Sequence, residues 1–335
     1  MKKEILLAHW PKITVKRYRE LAGAFSNLDN AWHAEFDDLK KIGWKDELIS
    51  EFLLWRDTIN EEKINHTLEK EQIECITADH DDYPPLLKEI YDPPFCLFVR
   101  GNIKNIQNPL AIVGPRKYSA YGKQITEEIA LKLVEYNIEI ISGLALGIDS
   151  IAHNATLQAG GRTIAVLGSG INKENIYPAC HKQLSEKIIN SGGALISEYP
   201  PGAEPNTFTF PRRNRIVAGM SLGTLVIEAS EDSGALITAQ CALDSNREVF
   251  CIPQNITSLT AAGSNKFLKN GAILVTEADD IINAFNLQEF TKNSSHVKII
   301  PSNPIEEKIL KLLSRKPIHV DEIIKKTEMP SQTAN

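Results

Sequence analysis

Residues 109–286 predict a doubly wound α/β domain, with a mostly parallel sheet covered by helices on both faces. Short apolar runs alternate with helical stretches along this region. The runs are apolar along their whole length, as in strands buried on both faces. Glycine-rich or polar loops separate each run from the next helix, which reads as repeated strand–crossover units. Strands are expected at 110–113, 139–141, 163–167, 194–197, 224–227, 249–252 and 273–275. Helices are expected at 124–136, 148–158, 181–190, 235–244 and 278–285.

The flanks read differently. Leu39, Ile42, Leu48, Ile49, Phe52, Leu53 and Trp55 recur at helical spacing, so residues 1–66 predict a small helical domain. An isolated Gly43 is too little to define a helix-hairpin-helix reader. The connector after it is punctuated by Tyr83-Pro84-Pro85 and Asp92-Pro93-Pro94, which frame a short helix before a strand at 95–99. The α/β domain with this connector spans 67–290, and a linker is expected at 291–302. In residues 303–335, Ile305, Ile309, Leu312 and Leu313 form an apolar face, and Pro317 to Ile324 suggests a second helix. This reads as the start of a winged-helix-like domain, incomplete at Asn335.

Composition narrows the class. The chain has 335 residues, 42% hydrophobic and 24% charged, as in ordinary soluble globular proteins. No signal peptide or membrane span is legible, so no membrane is expected as a partner. The 5 cysteines (Cys75, Cys96, Cys180, Cys241, Cys251) are scattered, odd in number and without a C-x-x-C pair. That argues for a reducing compartment, and a cytoplasmic location is expected. The net charge of −6 excludes a protein that coats duplex DNA through bulk positive charge. Nucleic acid, if bound, needs a local basic groove.

Ligands of open parallel sheets bind beyond the carboxyl ends of the strands, so the loops there matter most. They contain Gly114-Pro115-Arg116 with Ser119, Ser142-Gly143, Gly168-x-Gly170 with Lys173, Glu198-Tyr199-Pro200, and Glu228 to Gly234. The fourth leads into Phe210-Pro211-Arg212-Arg213-Asn214-Arg215, three guanidinium groups and an amide in four residues. A helix start already carries partial positive charge, so such a cluster calls for an anion. Phosphate suits both the helix start and the guanidinium fork. The plainer alternative pairs the arginines with Glu198, Glu204 or Glu231. Tyr118, Tyr121, Tyr177, Tyr199, Phe208 and Phe210 lie in or beside the same loops. Cations interleaved with aromatics suit a single strand, although each ring taken alone reads more simply as loop packing.

Other chemistries are weakly supported. Gly168-x-Gly170 lacks the third glycine of a dinucleotide fingerprint, and no acid closes the second strand. No G-x-x-x-x-G-K-[ST] loop is present. Asp149 and His153 share a helix face, but a helix-start carboxylate and an interior histidine explain them without a metal. Cys180-His181 is not how a nucleophile and base are usually arranged. No metal, catalytic residue or other cofactor is expected.

Together the loops resemble the DNA-processing protein A family (DprA, also called Smf). Val113-Gly114-Pro115-Arg116 with Ser119 and Tyr121-Gly122 is similar to the family's opening motif. So are Ser142 to Asp149 with Ala152-His153, Thr163 to Gly170, Tyr177-Pro178, Ser197 to Pro200, Phe210 to Gly219 and Ser233 to Ala239. Gly263-Ser264-Asn265 and Gly271-Ala272 complete a series that spans roughly residues 70 to 286. The resemblance implies an extended Rossmann-like fold that binds single-stranded DNA without catalysis, loads the RecA recombinase and acts as a homodimer in natural transformation. It implies a phosphate-holding role for Arg116, a pocket wall from the loop glycines and a DNA contact for Lys173. The DNA- or phosphate-binding set is then Gly114, Arg116, Ser119, Ser142, Gly143, Gly168, Gly170, Lys173, Tyr177, Arg212, Arg213, Asn214 and Arg215. Pro115 departs from the family's usual Ser or Thr and removes one N–H from the first loop. Ala179-Cys180-His181 and Pro253-Gln254 also depart from it. Two other readings compete. One is a LOG-type phosphoribohydrolase using Glu228 and Glu231 as acid or base, although only Leu222-Gly223-Thr224 with Glu228 echoes that motif. The other is a transcription regulator working through the C-terminal helices.

Overall fold

The computed structural model describes residues 1–287 and Lys325–Lys326. The chain divides into two units, Met1–Lys292 and Asn293–Asn335. In the second, only Lys325 and Lys326 are described, and the expected winged-helix-like segment otherwise lies outside the described residues.

In chain order the helices and strands are α1 (Lys3–Ala8), α2 (Val15–Ala24), α3 (Leu28–Trp32), α4 (Phe36–Lys41), α5 (Asp46–Thr58), α6 (Glu61–Glu71) and β1 (Glu74–Thr77). Then come α7 (Pro85–Lys88), β2 (Cys96–Gly101), β3 (Leu110–Val113), α8 (Ala120–Val134), β4 (Ile140–Ser142), α9 (Ile148–Gln158) and β5 (Thr163–Val166). The rest are α10 (Lys182–Asn190), β6 (Ala194–Ser197), α11 (Thr209–Gly219), β7 (Gly223–Val226), α12 (Gly234–Asp244), β8 (Glu248–Cys251), α13 (Ala262–Lys269), β9 (Ile273–Leu274) and α14 (Ala278–Ala284). All seven strands expected in the α/β region form, with ends displaced by one residue or so.

The nine strands make one sheet in the order β1-β2-β6-β5-β4-β3-β7-β8-β9. Strands β3 to β9 pair parallel, whereas β2 pairs antiparallel with both β1 and β6. The fold is therefore Rossmann-like, extended by an antiparallel edge. The chain leaves β3 towards β4, β5 and β6, then returns to place β7 on β3's other side. That reversal puts the topological switch point at the carboxyl ends of β3 and β7, where such sheets open a crevice.

Strand side chains alternate between two packed layers. Leu110 and Ile112 of β3 pack with Ile129 and Leu133 of α8, Ala152 of α9 and Ile281 of α14. Ala111 and Val113 belong to the opposite layer, with Ile216 and Val217 of α11 and Ala235 and Ala239 of α12. The N-terminal helices close over the antiparallel side. Trp10 stacks on Trp44 at 5.6 Å between centroids, beside Phe52, and this cluster shares one core with Phe98, Leu167 and Leu195 of the sheet. Each such buried apolar side chain contributes roughly 1.5–3 kcal/mol.

One local expectation is corrected. The arginine cluster, expected at the start of its helix, lies from the fourth residue of the helix onward. Helix α11 begins at Thr209, so Pro211 falls in the first turn, where a missing N–H costs nothing.

Candidate functional site

A cleft opens at the switch point between the loops after β3, β4 and β7 and the first turns of α11 and α12. Arg116 is exposed beside it, with its guanidinium carbon 5.8 Å from the centroid of the Phe210 ring. The other face of the aromatic patch is Tyr177, 43% exposed, 5.4 Å from Phe210 between centroids. Among the described residues Arg116 has no carboxylate partner. A free cation held against a ring at a crevice mouth pairs charge with a stacking surface.

Two internal carboxylates shape the loops around it. The Ser119 hydroxyl oxygen accepts the Gly122 N–H (2.9 Å) and caps α8. Glu228, buried after β7, accepts the Ser119 N–H (3.0 Å) and the Ser119 hydroxyl (2.5 Å). The protein's own carboxylate thus occupies the positive end of the first crossover helix. Removing it by Glu228→Ala is expected to cost about 1.5–3 kcal/mol, the usual value of hydrogen bonds to a charged group. Urea unfolding measures this, and an unchanged midpoint would remove Glu228 from the scaffold of the Arg116 loop.

The second carboxylate is Asp149, in the first turn of α9. It accepts N–H groups from Gly143 (3.0 Å) and Ala145 (3.3 Å). Arg213 is buried in the same place and donates to the carbonyls of Gly143 (2.6 Å) and Val166. Burial pushes the Asp149 carboxyl above its ordinary range, opposed chiefly by Arg213. Burial likewise depresses Arg213, opposed by Asp149, while Arg116 acts in the same direction as burial. A Cβ on Gly143 would overlap the Arg213 guanidinium and displace it from its carbonyl partners. Gly147 adopts φ +86°, and a Cβ there would strike the Pro115 carbonyl. The loop that bears Arg116 therefore lies directly on the loop that Asp149 holds.

His153, one turn further along α9, is buried, and its Nδ1 lies 2.7 Å from the Thr163 hydroxyl. It is the interior histidine the sequence suggested. Burial pulls its pKa from the ordinary 6.5 to about 3. The folded state therefore binds fewer protons than the unfolded state between those values, and stability falls as pH drops through that window. The His153 contribution is about 1.4 kcal/mol per pH unit. Urea unfolding at pH about 6.5 and about 5 should show a smaller loss for His153→Gln than for the wild type; equal losses would contradict it.

The expected set is only partly brought together. Gly114, Arg116, Gly143, Tyr177, Arg213 and Asn214 line the cleft. Asn214 accepts from Arg213 Nε (3.1 Å) and donates to the Gly234 carbonyl (3.4 Å), tying α11 to α12. Gly168 packs against Phe210, and the buried Gly170 donates its N–H to the Ala203 carbonyl (2.8 Å). Ser142 is buried, with its hydroxyl on the Ile112 carbonyl (2.7 Å). Lys173 is elsewhere: its backbone N–H donates to Glu71 (3.0 Å), and its side chain lines the α10 surface.

The crowding of arginines is corrected as well. Arg215 is held by both oxygens of Glu198 (3.0 and 2.8 Å), with Asp92 3.4 Å away. Burial pulls its pKa down, but Glu198 and Asp92 more than offset that and keep it above its ordinary range. Arg212 is half-buried, 3.7 Å from the same Glu198. Desolvated guanidiniums need carboxylates, and Glu198 had been among the alternatives the sequence offered. Sequence reasoning missed the Glu228–Ser119 clamp and the Asp149–Arg213 pair, because neither spacing nor composition signals contacts between residues more than 60 positions apart. Among the described residues, no group of three or more His, Cys, Asp or Glu could hold a metal ion, and no helix is long and apolar enough to cross a membrane.

The protein is thus a Rossmann-like α/β protein whose switch-point crevice presents Arg116, without a carboxylate partner among the described residues, beside two tilted rings, Phe210 and Tyr177. The profile of the DNA recombination-mediator protein A family matches residues 74–286, and the chain belongs to that family. Protein Smf of Escherichia coli strain K12 is 44% identical over 222 residues, 66% of this chain. The match spans 58% of that relative's own length, less than two thirds of it. Protein Smf of Synechocystis is 35% identical over 291 residues, covering 85% of this chain and 72% of the relative. The X-ray structure of DNA processing protein A (DprA) from Streptococcus pneumoniae superposes with a TM-score of 0.73 at 34% identity, over 84% of this chain and 98% of that one. A structure of DNA processing protein A from Helicobacter pylori, described as revealing its single-stranded DNA binding mode, gives a TM-score of 0.57 at 28% identity. It covers 64% of this chain and 96% of that one.

Proposed function

We propose that this protein binds single-stranded DNA at the Arg116 cleft, without catalysis, and delivers it to the RecA recombinase as a homodimer during recombination and transformation. The single observation that carries the DNA reading is Arg116 itself, exposed, without a carboxylate partner among the described residues, and 5.8 Å above Phe210. Its guanidinium suits a backbone phosphate, and Phe210 with Tyr177 offers faces on which any base stacks. The family's relatives named above support the same substrate. In this reading residues 67–290 carry the binding, with 1–66 and 303–335 as accessory units joined to it directly or by the linker 291–302. Gly114, Ser119, Ser142, Gly143, Gly168 and Gly170 shape the cleft, Arg213 and Asn214 form its floor, Tyr177 and Arg212 lie on or towards the path of the strand, and Arg215 and Lys173 lie off it.

Glu228 supports a binding role over a phosphoribohydrolase role, because its carboxylate is buried and already engaged by Ser119. Titration of oligo-dT against duplex DNA of equal length, at two salt concentrations, tests the proposal. Preference for the single strand, weakening with salt through counterion release, is the expected result. Equal affinity for duplex, or release of free base from nucleoside monophosphates, would overturn it. Faster RecA filament formation on the bound strand tests the recombinase step, and sedimentation tests the dimer.

A further inference from the structure

We propose that the N-terminal helices form the second half of an extended strand path, so that a single strand seated at Arg116 continues past Phe208 into a second cleft. This rests on the single-strand reading above and states what the helical segment contributes to it. The second cleft lies between the α1–α2 connection and the β6–α11 loop. Trp10, Ile13 and Thr14 line it from one side, and Tyr199, Pro201 and Arg212 from the other.

The two clefts flank the first turn of α11. Arg212 lines the second, whereas Phe210, Pro211 and Arg213 line the first. Phe208, at the N-cap of the same helix, is 83% exposed. An exposed phenyl ring at the start of the helix whose first turn lines both clefts offers a stacking platform for a base crossing from one to the other.

Charge selects the occupant. Glu198 is the one carboxylate lining the second cleft, and Arg215 already holds both its oxygens. Arg212, 3.7 Å from Glu198 and 38% exposed in its side chain, donates no side-chain hydrogen bond among the described residues. On the helical side the Arg17 guanidinium, outside the cleft lining, sits 5.9 Å from the centroid of the Trp10 ring and bonds to the Lys12 carbonyl. Apolar and aromatic walls with the Arg212 guanidinium among them match the bases and phosphates of a strand. They match an apolar peptide less well, because Arg212 would then face the cleft without an anion.

The test is length-dependent binding. Oligo-dT of about 6 and about 18 nucleotides, bracketing the usual site size, is titrated against wild type, Arg116→Ala, Ile13→Glu and Ala203→Glu. Ile13 and Ala203 lie on opposite walls of the second cleft, so a folding defect in one variant leaves the other informative, and thermal melts monitor both. Either new carboxylate should weaken the longer oligomer about tenfold and change the shorter by less than about twofold. Unchanged affinity for the longer oligomer in both variants would overturn the second cleft and leave the first intact. Loss of both lengths only in Arg116→Ala has the same meaning. If Arg116→Ala binds both lengths normally, the strand is not seated at Arg116 and the extended path fails, whereas equal affinity for duplex of either length would overturn the single-strand reading itself. If the glutamates instead change the sedimentation of DNA-free protein and leave both affinities alone, the cleft holds a second copy of this chain, and the proposal is overturned.

Discussion

Arg116→Ala is expected to weaken oligo-dT binding about 10- to 100-fold and to leave the melting temperature within about 1–2 °C of wild type. The binding loss follows from the worth of a hydrogen bond to a charged group, about 1.5–3 kcal/mol, with roughly 1.4 kcal/mol for each factor of ten. The stability is spared because Arg116 is exposed and neutralises no acid among the described residues. An exposed substitution of this kind changes stability by about 0.5 kcal/mol or less, which is a degree or two for a domain of this size. Removing one phosphate contact should also reduce the slope of log affinity against log salt by about 0.7. Fluorescence anisotropy across a salt series reads both quantities. Undiminished affinity with an unchanged slope would place the phosphate site elsewhere.

The largest effect on stability is expected at Arg213, three residues beyond the ring on which Arg116 rests. Arg213→Ala should destabilise the fold by about 3–5 kcal/mol, because it strands a buried carboxylate. Asp149 keeps its N–H bonds to Gly143 and Ala145 but loses its compensating cation. The carbonyls of Gly143 and Val166 lose their guanidinium donor as well. Such a loss approaches the whole stability of many domains. Adding Asp149→Ala to Arg213→Ala should cost less than the two single losses combined, because the stranded charge is then gone. Denaturant midpoints measure the cycle. A neutral Arg213→Ala would mean that the pair does not hold these loops together. Neighbouring arginines in one motif thus serve opposite ends, since Arg213 and Arg215 are structural cations and Arg212 keeps 38% of its side chain exposed.

Much of the architecture was legible because parallel strands buried on both faces are written as continuous apolar runs. Leu110–Val113 and Ala194–Ser197 form at their expected bounds for that reason. Strand β1 was not legible: Glu74–Thr77 is short, with its first residue exposed, and only pairing with β2 makes it a strand. The placement of Arg116 in a strand-end loop was legible from local pattern. The fates of Arg213 and Arg215 were not, since they depend on Asp149, Asp92 and Glu198. Of these only Glu198, one of three nearby acids the sequence offered, was named in advance as a partner for the arginines.

By itself the sequence determined the alternation of strand and helix, the edge of the sheet on which the loops emerge, and the family whose motifs those loops carry. These are local or repeated signals, set by side-chain periodicity and by glycine and proline geometry. Only the tertiary structure decided which cations remain free. Charge is neutralised through space, and a guanidinium's partner is whichever carboxylate the fold brings within reach, however far away it lies along the chain.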